Sequence, residues 1–435
     1  MTSSIEAMIR DGWDGFRRFV NPLVTARAQL LGEPFEAIYA EDGRLGDGER
    51  WVEDFHGTQS FGHRHPAITA AVMEYLGSNA TNWYPSRVNP IAGSLAARVC
   101  ERAGGDYERV FFASSGSEAV EAALKLGRAA TRRPRILSLR GAYHGTTMGS
   151  CALIEPGMFR DRFGPHLPGV EALPFADEAA LAAALASEDV AAVIVEPIQL
   201  EGGVRPLPSS YVEALCALTE RHGALLVADE IQTGLGRTGR FLASETWPRR
   251  PDAIVIGKHF GGGLMPLSAM VTHADVFERA YGDHYAGAEA HNTTFSGNAA
   301  ACVAGHAALD LLTDELMERN RTLGERFRAA LSERLARHEL FDEVRGAGMI
   351  AGIALRAVDH PWLSFEHFGL DGLADQPTTG VILCYRLYKR GYYGFVCGHD
   401  WRVLRLLPRF NILEKTLDEL VDHVDEELEK LCALI

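Results

Sequence analysis

The sequence predicts an α/β fold, with a large domain built on a mostly parallel seven-stranded sheet flanked by helices and a smaller α+β domain formed by the N- and C-terminal segments. Short apolar, β-branched segments alternate with helical patterns between residues 109 and 272. Such alternation is typical of parallel strands joined by crossover helices. The length of 435 residues also exceeds what one hydrophobic core usually serves. We therefore expect two domains, with ligands bound at the carboxyl ends of the sheet strands.

The predicted elements divide the chain into three segments. Residues 1–65 hold a helical patch and a strand–turn–strand pattern around Asp42-Gly43, and we expect them to join the small domain and to cover the ligand site. Residues 66–312 form the large domain, and residues 313–435 form the C-terminal small domain. Strands are predicted in the large domain at 109–113, 135–139, 193–196, 224–227, 253–256 and 267–272, and in the small domain at 344–355, 392–397 and 403–407.

Composition argues against several classes of protein. The net charge is −15, from 43 basic and 58 acidic residues, which disfavours wide binding to nucleic acid or anionic membranes. No window approaches 18 uninterrupted apolar residues, and the N-terminus lacks the apolar region of a signal peptide. The seven cysteines are dispersed, without a C-x-x-C pair, as in reduced cytosolic proteins. We expect a cytoplasmic protein, and the sequence indicates no metal site.

One lysine follows a strand that is apolar throughout. Residues 253–256 are β-branched or small, and Lys258 comes two residues later, followed by the three glycines 261–263. A lysine at the end of a buried strand is shielded from bulk water, which favours its neutral, nucleophilic form. The glycines would allow backbone and ligand to approach closely. This arrangement suits a Schiff base to an aldehyde cofactor, and the alternative is a surface lysine in a turn.

A run of small residues lies between the predicted strand 109–113 and the next helix. Ser115, Gly116 and Ser117 would present backbone N–H groups and hydroxyls at a helix N-terminus, which is a site suited to a phosphate. The alternative is an ordinary capping box, in which Ser115 pairs with Glu118 three residues later.

Three further side chains follow or interrupt apolar strands. Tyr143 comes after strand 135–139 and could stack on a flat heterocycle, or simply pack in a loop. Asp229 ends strand 224–227, where a carboxylate needs a cationic or hydrogen-bonding partner such as a protonated pyridine nitrogen, unless it caps a turn. Arg405 interrupts strand 403–407 and fits bidentate binding of a carboxylate, or a snorkelling surface role.

The lysine, the aspartate, the phosphate loop and the tyrosine each follow a different strand of one predicted sheet. Their side chains should therefore meet at one edge of that sheet. Together they meet the needs of pyridoxal 5′-phosphate, which requires an amine for a Schiff base, a partner for the pyridinium nitrogen, a cradle for the phosphate and a platform for the ring.

At this point the sequence resembles a known family, the class III pyridoxal-phosphate-dependent aminotransferases of the aspartate aminotransferase fold, fold type I. The resemblance runs from about Phe35 to the C-terminus and is most specific from Leu226 to Gly263, where Asp-Glu-Ile-Gln-Thr-Gly is followed by Gly-Lys at the spacing of the family.

The resemblance implies a role for each matching residue of the cofactor site. Lys258 would form the internal aldimine and move the proton between the substrate α-carbon and C4′ of the cofactor. Asp229 would pair with the pyridine nitrogen, Gln232 would lie near the ring hydroxyl, and Tyr143 would stack on the ring. Gly116 and Ser117 would hold the phosphate.

The resemblance also implies roles beyond the cofactor. Thr294 would complete the phosphate site of the partner subunit, which makes the protein a homodimer with shared active sites. Arg405 would bind the α-carboxylate of the substrate, and Glu201 would act as a gate that pairs with Arg405 when an ω-amine is bound. Trp83 and Tyr84 lie in a segment that covers the site in this family, although aromatic loop residues also pack at interfaces.

The resulting prediction is an aminotransferase that works by ping-pong half-reactions. An amino donor, either an α-amino acid such as glutamate or an ω-amino compound or amine, would leave its nitrogen on the cofactor, and a keto acid or aldehyde would take it. The alternatives on the same fold are an aminomutase of the glutamate-1-semialdehyde type, a racemase or a decarboxylase, which share the ring and the lysine. A nucleotide-binding α/β protein is a rival class, but the sequence has no G-x-G-x-x-G or G-x-x-x-x-G-K-[ST] motif.

Overall fold

The computed structural model describes residues 2–24, 37–82, 88–104, 106–282, 287, 291–358, 360, 363–367 and 376–435. The chain divides into two compact units. One consists of Met1–His63 and Thr322–Ile435, and the other of Arg64–Arg321. No helix in this described part of the chain combines the length and the apolar character needed to cross a lipid bilayer.

The N-terminal part of the first unit is a helix followed by a three-stranded meander. Helix α1 spans Thr2–Phe19, and the strands are β1 (Tyr39–Glu41), β2 (Arg44–Gly46) and β3 (Trp51–Asp54). The sequence predicted only two strands here. The third exists because Asp42, at φ 51°, and Gly43 reverse the chain within two residues, so that Glu41 pairs with Arg44.

The second unit contains the large sheet. Its strands are β4 (Tyr107–Ala113), β5 (Arg135–Leu139), β6 (Val170–Leu173), β7 (Val190–Val195), β8 (Ile198–Gln199), β9 (Arg205–Pro206), β10 (Leu225–Asp229), β11 (Ala253–Ile256) and β12 (Ser268–His273). Seven of them form one sheet in the order β4-β12-β11-β10-β7-β5-β6. Strand β12 is antiparallel to both of its neighbours, and the other pairs are parallel. The predicted mostly parallel, seven-stranded sheet is therefore confirmed, although the sequence located only six of its strands and not β6.

Helices cover both faces of this sheet. They are α2 (Pro66–Gly77), α3 (Pro90–Ala103), α4 (Gly116–Thr131), α5 (Met148–Ala152), α6 (Glu178–Leu185), α7 (Ser209–His222), α8 (Ala274–Tyr281), α9 (Ala299–Leu311) and α10 (Asp314–Leu335), the last of which continues into the first unit. Short 3-10 helices lie at Asp161–Phe163, Ala243–Thr246 and Lys258–Gly261. Alternate residues of β7 pack into separate cores, Ile194 with α4 on one face and Val193 with α6 and α7 on the other.

The C-terminal part of the first unit holds a second sheet. The elements of this part are β13 (Phe341–Arg345), β14 (Ala351–Leu355), α11 (Thr379–Lys389), β15 (Tyr392–Tyr393), β16 (Phe395–Val396), β17 (Val403–Leu406) and α12 (Glu414–Cys432). The sheet has the strand order β13-β14-β17-β16. The strand predicted at 344–355 is wrong in extent, because Gly346 and Gly348, at φ 133° and 49°, turn the chain into a β13–β14 hairpin. The strand predicted at 392–397 is also divided, since β15 pairs with β3 while β16 pairs with β17.

Candidate active site

The carboxyl ends of four strands bring the predicted side chains together in the second unit. Ser115 follows β4, Tyr143 follows β5, Asp229 ends β10 and Lys258 follows β11. These strands all point the same way, since the antiparallel β12 lies between β4 and β11. They surround a cavity of about 280 Å³. Its lining includes six of the predicted residues, Ser115, Gly116, Ser117, Tyr143, Gln232 and Lys258.

The start of α4 is organised by a capping box. The Ser115 hydroxyl accepts from the Glu118 N–H at 3.3 Å, and the Glu118 carboxylate accepts from the Ser114 and Ser115 N–H groups at 2.8 and 3.1 Å. The capping box, which was the alternative interpretation of this stretch, is therefore confirmed. The box uses the Ser115 hydroxyl but leaves the N–H groups of Gly116 and Ser117, which have no acceptor within the helix, directed out of its N-terminus.

Close backbone contacts shape this end of the cavity. A Cβ on Gly145, where φ is 114°, would lie 2.1 Å from the Ser117 hydroxyl. A Cβ on Gly116 would lie 2.8 Å from the Ile231 side chain. Position 145 therefore requires glycine, whereas a Cβ at Gly116 would displace the end of the Ile231 side chain. The Ser117 hydroxyl also accepts from the Thr146 N–H at 3.3 Å. The result is a narrow cradle of backbone and hydroxyl groups suited to an anion.

Asp229 lies behind the cavity and is fixed by two donors. His144 Nδ1 lies 2.7 Å from Asp229 Oδ2, and the Ile231 N–H donates to Oδ1 at 3.1 Å. The side chains of His144 and Asp229 are 0% and 3% exposed. Nε2 of His144 is buried and has no hydrogen-bond partner among the described residues. The pair places carboxylate oxygens at a defined position away from bulk water, where they suit a ring nitrogen that carries a proton.

Glu196 is a second buried carboxyl group beside this pair. It follows β7, and its Oε1 accepts from the backbone N–H of Tyr143 at 2.9 Å, whereas Oε2 has no partner in the described part of the chain. Burial, and then the nearby Asp229 carboxylate, raise the pKa of Glu196 well above its usual range. Glu196 therefore holds the Tyr143 backbone, and its burial favours the protonated form of its carboxyl group.

The raised pKa of Glu196 predicts a pH-dependent free energy of unfolding. An unfolded glutamate releases its proton near pH 4.3, so above about that pH the folded chain binds a proton that the unfolded chain has lost. Stability then falls as the pH rises, by up to about 1.4 kcal/mol per pH unit from this one group. Glu196→Gln, whose amide oxygen can still accept from Tyr143, should remove that fall.

Urea unfolding at pH 5 and pH 8 measures this effect. We expect the stability of the variant relative to the wild type to increase between the two values, and the exposed Glu213→Gln on α7 to show no such increase. If the free energy of unfolding of Glu196→Gln differed from that of the wild type by the same amount at both pH values, the prediction that Glu196 is protonated in the folded chain would be contradicted.

Lys258 is more exposed to solvent than the sequence predicts. The prediction that it is shielded from water is wrong for the single chain, where the residue is exposed and lines the cavity. Its backbone adopts the left-handed conformation, with φ 52°, at the start of a 3-10 helix. A non-glycine residue in this region is uncommon and is typical of functional sites, where the surrounding structure imposes the conformation.

The neighbour of Lys258 is part of that surrounding structure. His259 is buried, and its Nε2 lies 3.1 Å from the carbonyl oxygen of Leu235, to which it donates. Burial, helped by the nearby Arg237 cation, lowers the pKa of His259 to about 3. The imidazole is therefore neutral and ties the turn that carries Lys258 to the loop after β10.

The three glycines after Lys258 lie where the backbone packs closely. A Cβ on Gly262, where φ is 70°, would lie 2.5 Å from Ile68 of α2, and a Cβ on Gly261 would lie 3.2 Å from Leu267. Neither these glycines nor Gly263 lines the cavity. The predicted close approach of the backbone is therefore confirmed, since the glycines bring this turn against α2 and β12, and the close approach of a ligand stays a prediction.

The remaining predicted residues are placed as follows. Glu201 is half-buried in the turn between β8 and β9, and Thr294 is exposed in the single chain. Arg405 belongs to the other unit, where it is buried on β17 at 6% exposure. Trp83 and Tyr84 lie outside the described residues.

Sequence reasoning missed His144 and Glu196. Both stood in stretches already recognised as polar ends of apolar strands, His144 directly after Tyr143 and Glu196 after 193–195. The available signal was the requirement that a buried Asp229 have a partner. A histidine at the end of a neighbouring strand is the simplest partner of that kind.

These residues fit pyridoxal phosphate. The N-terminus of α4 and the cradle at Gly145 suit a phosphate, the fixed Asp229 carboxylate suits a ring nitrogen that carries a proton, and Lys258 supplies an amine in the same cavity. Among the described residues that line the cavity, Lys258 is the one lysine. One side-chain amine is therefore available there for covalent attachment.

Comparison with known proteins agrees with this chemistry. The family model for class III aminotransferases matches residues 46–428. The aminotransferase PigE of a Serratia species is 34% identical over 351 residues, which is 79% of this chain but 41% of that protein, so the chain spans about two fifths of its relative.

Two solved structures show the same fold. The ornithine aminotransferase from Toxoplasma gondii is 28% identical, with 90% of each chain covered and a TM-score of 0.79. An amine transaminase from an uncultivated Pseudomonas species, in a form with bound pyridoxal phosphate, is 26% identical, with 90% of this chain and 94% of that chain covered and a TM-score of 0.79. Because the family match covers most of its length, the chain belongs to the class III aminotransferases, a family of pyridoxal-phosphate-dependent transaminases of fold type I.

Proposed function

We propose that this protein moves an amino group between an α-amino acid such as glutamate and an ω-amino compound, amine or aldehyde, in two successive half-reactions. The observation that carries the proposal is a single cavity at the carboxyl edge of the large sheet. It joins Lys258, Tyr143 and the N-terminus of α4, with the His144–Asp229 pair at its back.

The cofactor and the protein would divide the chemistry. When bound, pyridoxal phosphate supplies an aldehyde that links covalently to amines and a ring that withdraws electrons from the substrate α-carbon. Lys258 would hold the cofactor through its ε-amine, as a Schiff base, and would then carry the proton between the α-carbon and C4′. Asp229, oriented by His144, would keep the ring nitrogen protonated.

Other residues of the cavity would orient the cofactor. Gly116 and Ser117 would bind the phosphate through their backbone N–H groups, and Ser115 and Ser117 through their hydroxyls. Tyr143, whose backbone Glu196 holds at 2.9 Å, would cover the ring, and Gln232 would face the ring hydroxyl. We propose that the protein is a homodimer in which Thr294, exposed in the single chain, completes the phosphate site of the partner subunit.

The substrate would be recognised by four side chains. Arg405 would bind the α-carboxylate of an amino or keto acid, because a buried guanidinium on a strand is well suited to bidentate binding. Glu201 would select between α- and ω-amino substrates, and Trp83 and Tyr84 would line the substrate pocket. A cytoplasmic location is part of the proposal, supported by seven free cysteines of which five are buried.

A single-turnover experiment with donor alone tests the proposed function. Holoenzyme mixed with glutamate and no acceptor should convert fully to the pyridoxamine form, so that the visible absorption band of the resting holoenzyme disappears. It should also release one equivalent of keto acid per active site. Later addition of an aldehyde or keto acid should restore the original spectrum. A return to the resting spectrum without keto product would indicate a racemase or an aminomutase, and release of carbon dioxide would indicate a decarboxylase.

A further inference from the structure

A stack of aromatic rings lies against the arginine proposed to bind carboxylates. The guanidinium carbon of Arg405 lies 5.5 Å from the centroid of the Phe395 ring. His56 meets Phe395 edge-on, with ring centroids 5.7 Å apart and planes at 81°. Tyr393 lies parallel to His56, at 6.0 Å and 8°. We call Tyr393, His56 and Phe395 the aromatic stack; all belong to the same unit as Arg405.

The backbone holds this stack in register with Arg405. Phe395 on β16 pairs directly with Arg405 on β17, so the two side chains leave neighbouring strands at the same level. The residue before His56 is fastened on both sides, since the Phe55 N–H donates to the Tyr393 carbonyl at 2.8 Å and the Phe55 carbonyl accepts from the Leu407 N–H at 2.9 Å. The rings are therefore carried by three segments that are tied to one another.

The ring of Phe395 has a physical consequence for the guanidinium. An aromatic face attracts a cation through its quadrupole, and the attraction grows when the cation is desolvated, as Arg405 is at 6% exposure. A guanidinium binds carboxylates through N–H groups that lie in its own plane. The Phe395 ring therefore limits the rotation of the guanidinium without occupying its N–H donors. Because the guanidinium is already restrained, it loses less conformational entropy when a carboxylate binds.

We propose that Phe395 is a positioning residue for substrate selection, because its ring holds the Arg405 guanidinium in the orientation that receives the α-carboxylate. His56 packs against the Phe395 ring, and Tyr393 packs against His56. This inference rests on the proposed role of Arg405. It predicts a selective effect on substrates that carry an α-carboxylate, and none on the chemistry at Lys258.

Two substitutions of Phe395 distinguish the effect of the aromatic face from the effect of side-chain volume. Phe395→Leu keeps an apolar side chain of similar size but removes the aromatic face, whereas Phe395→Tyr keeps the face. The assay uses holoenzyme and L-glutamate, with KM and kcat taken from the donor half-reaction. The inhibition constant of propylamine against glutamate is measured in parallel, because propylamine has the carbon chain of glutamate without either carboxylate. Arg405→Ala is the reference variant, and thermal unfolding of each variant is recorded.

The expected result is a rise in KM for glutamate of about threefold to tenfold in Phe395→Leu, the range that a partly desolvated cation–π contact implies. We expect kcat to stay within about twofold, the propylamine constant to stay unchanged, and Phe395→Tyr to restore KM to near the wild-type value. An unchanged KM in Phe395→Leu, or equal weakening of glutamate and propylamine, would overturn the inference.

The failure of the proposed function has a different signature. Arg405→Ala should raise KM for glutamate by at least about a hundredfold if Arg405 binds the carboxylate. If Arg405→Ala leaves KM unchanged, the role of Arg405 is refuted and the positioning role of Phe395 falls with it. If Arg405→Ala has its effect and Phe395→Leu has none, only the positioning role is refuted.

Discussion

Replacing Lys258 with alanine is expected to lower kcat by at least about 10⁴-fold, because the same amine would serve as nucleophile and as proton carrier. The visible absorbance of the holoenzyme should also change, since the variant can hold pyridoxal phosphate only without a covalent bond. Borohydride reduction followed by peptide mapping should label Lys258 in the wild type and leave the corresponding peptide of the variant unlabelled.

Two comparison variants keep this prediction specific. Lys415→Ala removes a lysine that is 85% exposed on α12 and should change neither kcat nor labelling. Lys258→Gly should be no less stable than Lys258→Ala, because glycine adopts the backbone conformation at φ 52° without strain. Borohydride labelling of a different lysine in the wild type would refute the assignment of Lys258, whatever the activity of the variants.

The fold and the chemical centre of the site could be predicted because both depend on local pattern. Strand β11 is apolar at every position, which is typical of a strand covered on both faces, and the alternation of strands and helices earlier in the same unit indicates a mostly parallel sheet. Once β11 and β10 are strands, Lys258 and Asp229 must lie at the same edge. No long-range information is needed for that step.

The parts that could not be predicted depend on contacts between segments distant in sequence. His144 becomes the partner of Asp229 only because β5 and β10 both flank β7, although the residues are 85 positions apart. The packing of Gly262 against Ile68 likewise brings together a turn and a helix far apart in the chain. A run of three glycines shows that the backbone must be free there, but not whether a ligand or a helix occupies the space.

The exposure of Lys258 illustrates a different limit. The sequence correctly predicts the buried strand before it, but the chain leaves the sheet after Gly257 and enters a 3-10 helix at Lys258, whose φ is 52°, so that the lysine lines the cavity. The apolar pattern of the strand predicts that Lys258 lies at the carboxyl end of β11. It does not predict how much of the lysine side chain is exposed to solvent in a single chain. The same limit applies to Thr294, whose exposure in the single chain is what a residue contributed to a partner's site would show.

Asp229→Asn is expected to reduce kcat by about 10²- to 10³-fold, the range seen when one preorganised electrostatic group is removed from an active site. Asparagine has nearly the same shape: its carbonyl oxygen can accept from the Ile231 N–H, now 3.1 Å from Oδ1, and its NH2 group can donate to His144 Nδ1, now 2.7 Å from Oδ2, when the imidazole carries its proton on Nε2. The variant therefore loses mainly the negative charge. Without it, the ring nitrogen of the cofactor would no longer stay protonated, and electrons would leave the substrate α-carbon less readily.

The adjacent acid provides a matched control for that charge. Glu230 is also buried, but its carboxylate accepts from the Thr233 hydroxyl at 2.5 Å and from the Ser244 N–H at 2.7 Å, and it does not line the cavity. We expect Glu230→Gln to lower the free energy of unfolding while the activity per folded molecule changes by less than about threefold. If Asp229→Asn and Glu230→Gln reduced activity per folded molecule by the same factor, the charge of Asp229 would matter to the fold and not to the cofactor. A loss confined to Asp229→Asn, with His144 in place and unfolding nearly unchanged, would show that the cavity uses this carboxylate for chemistry.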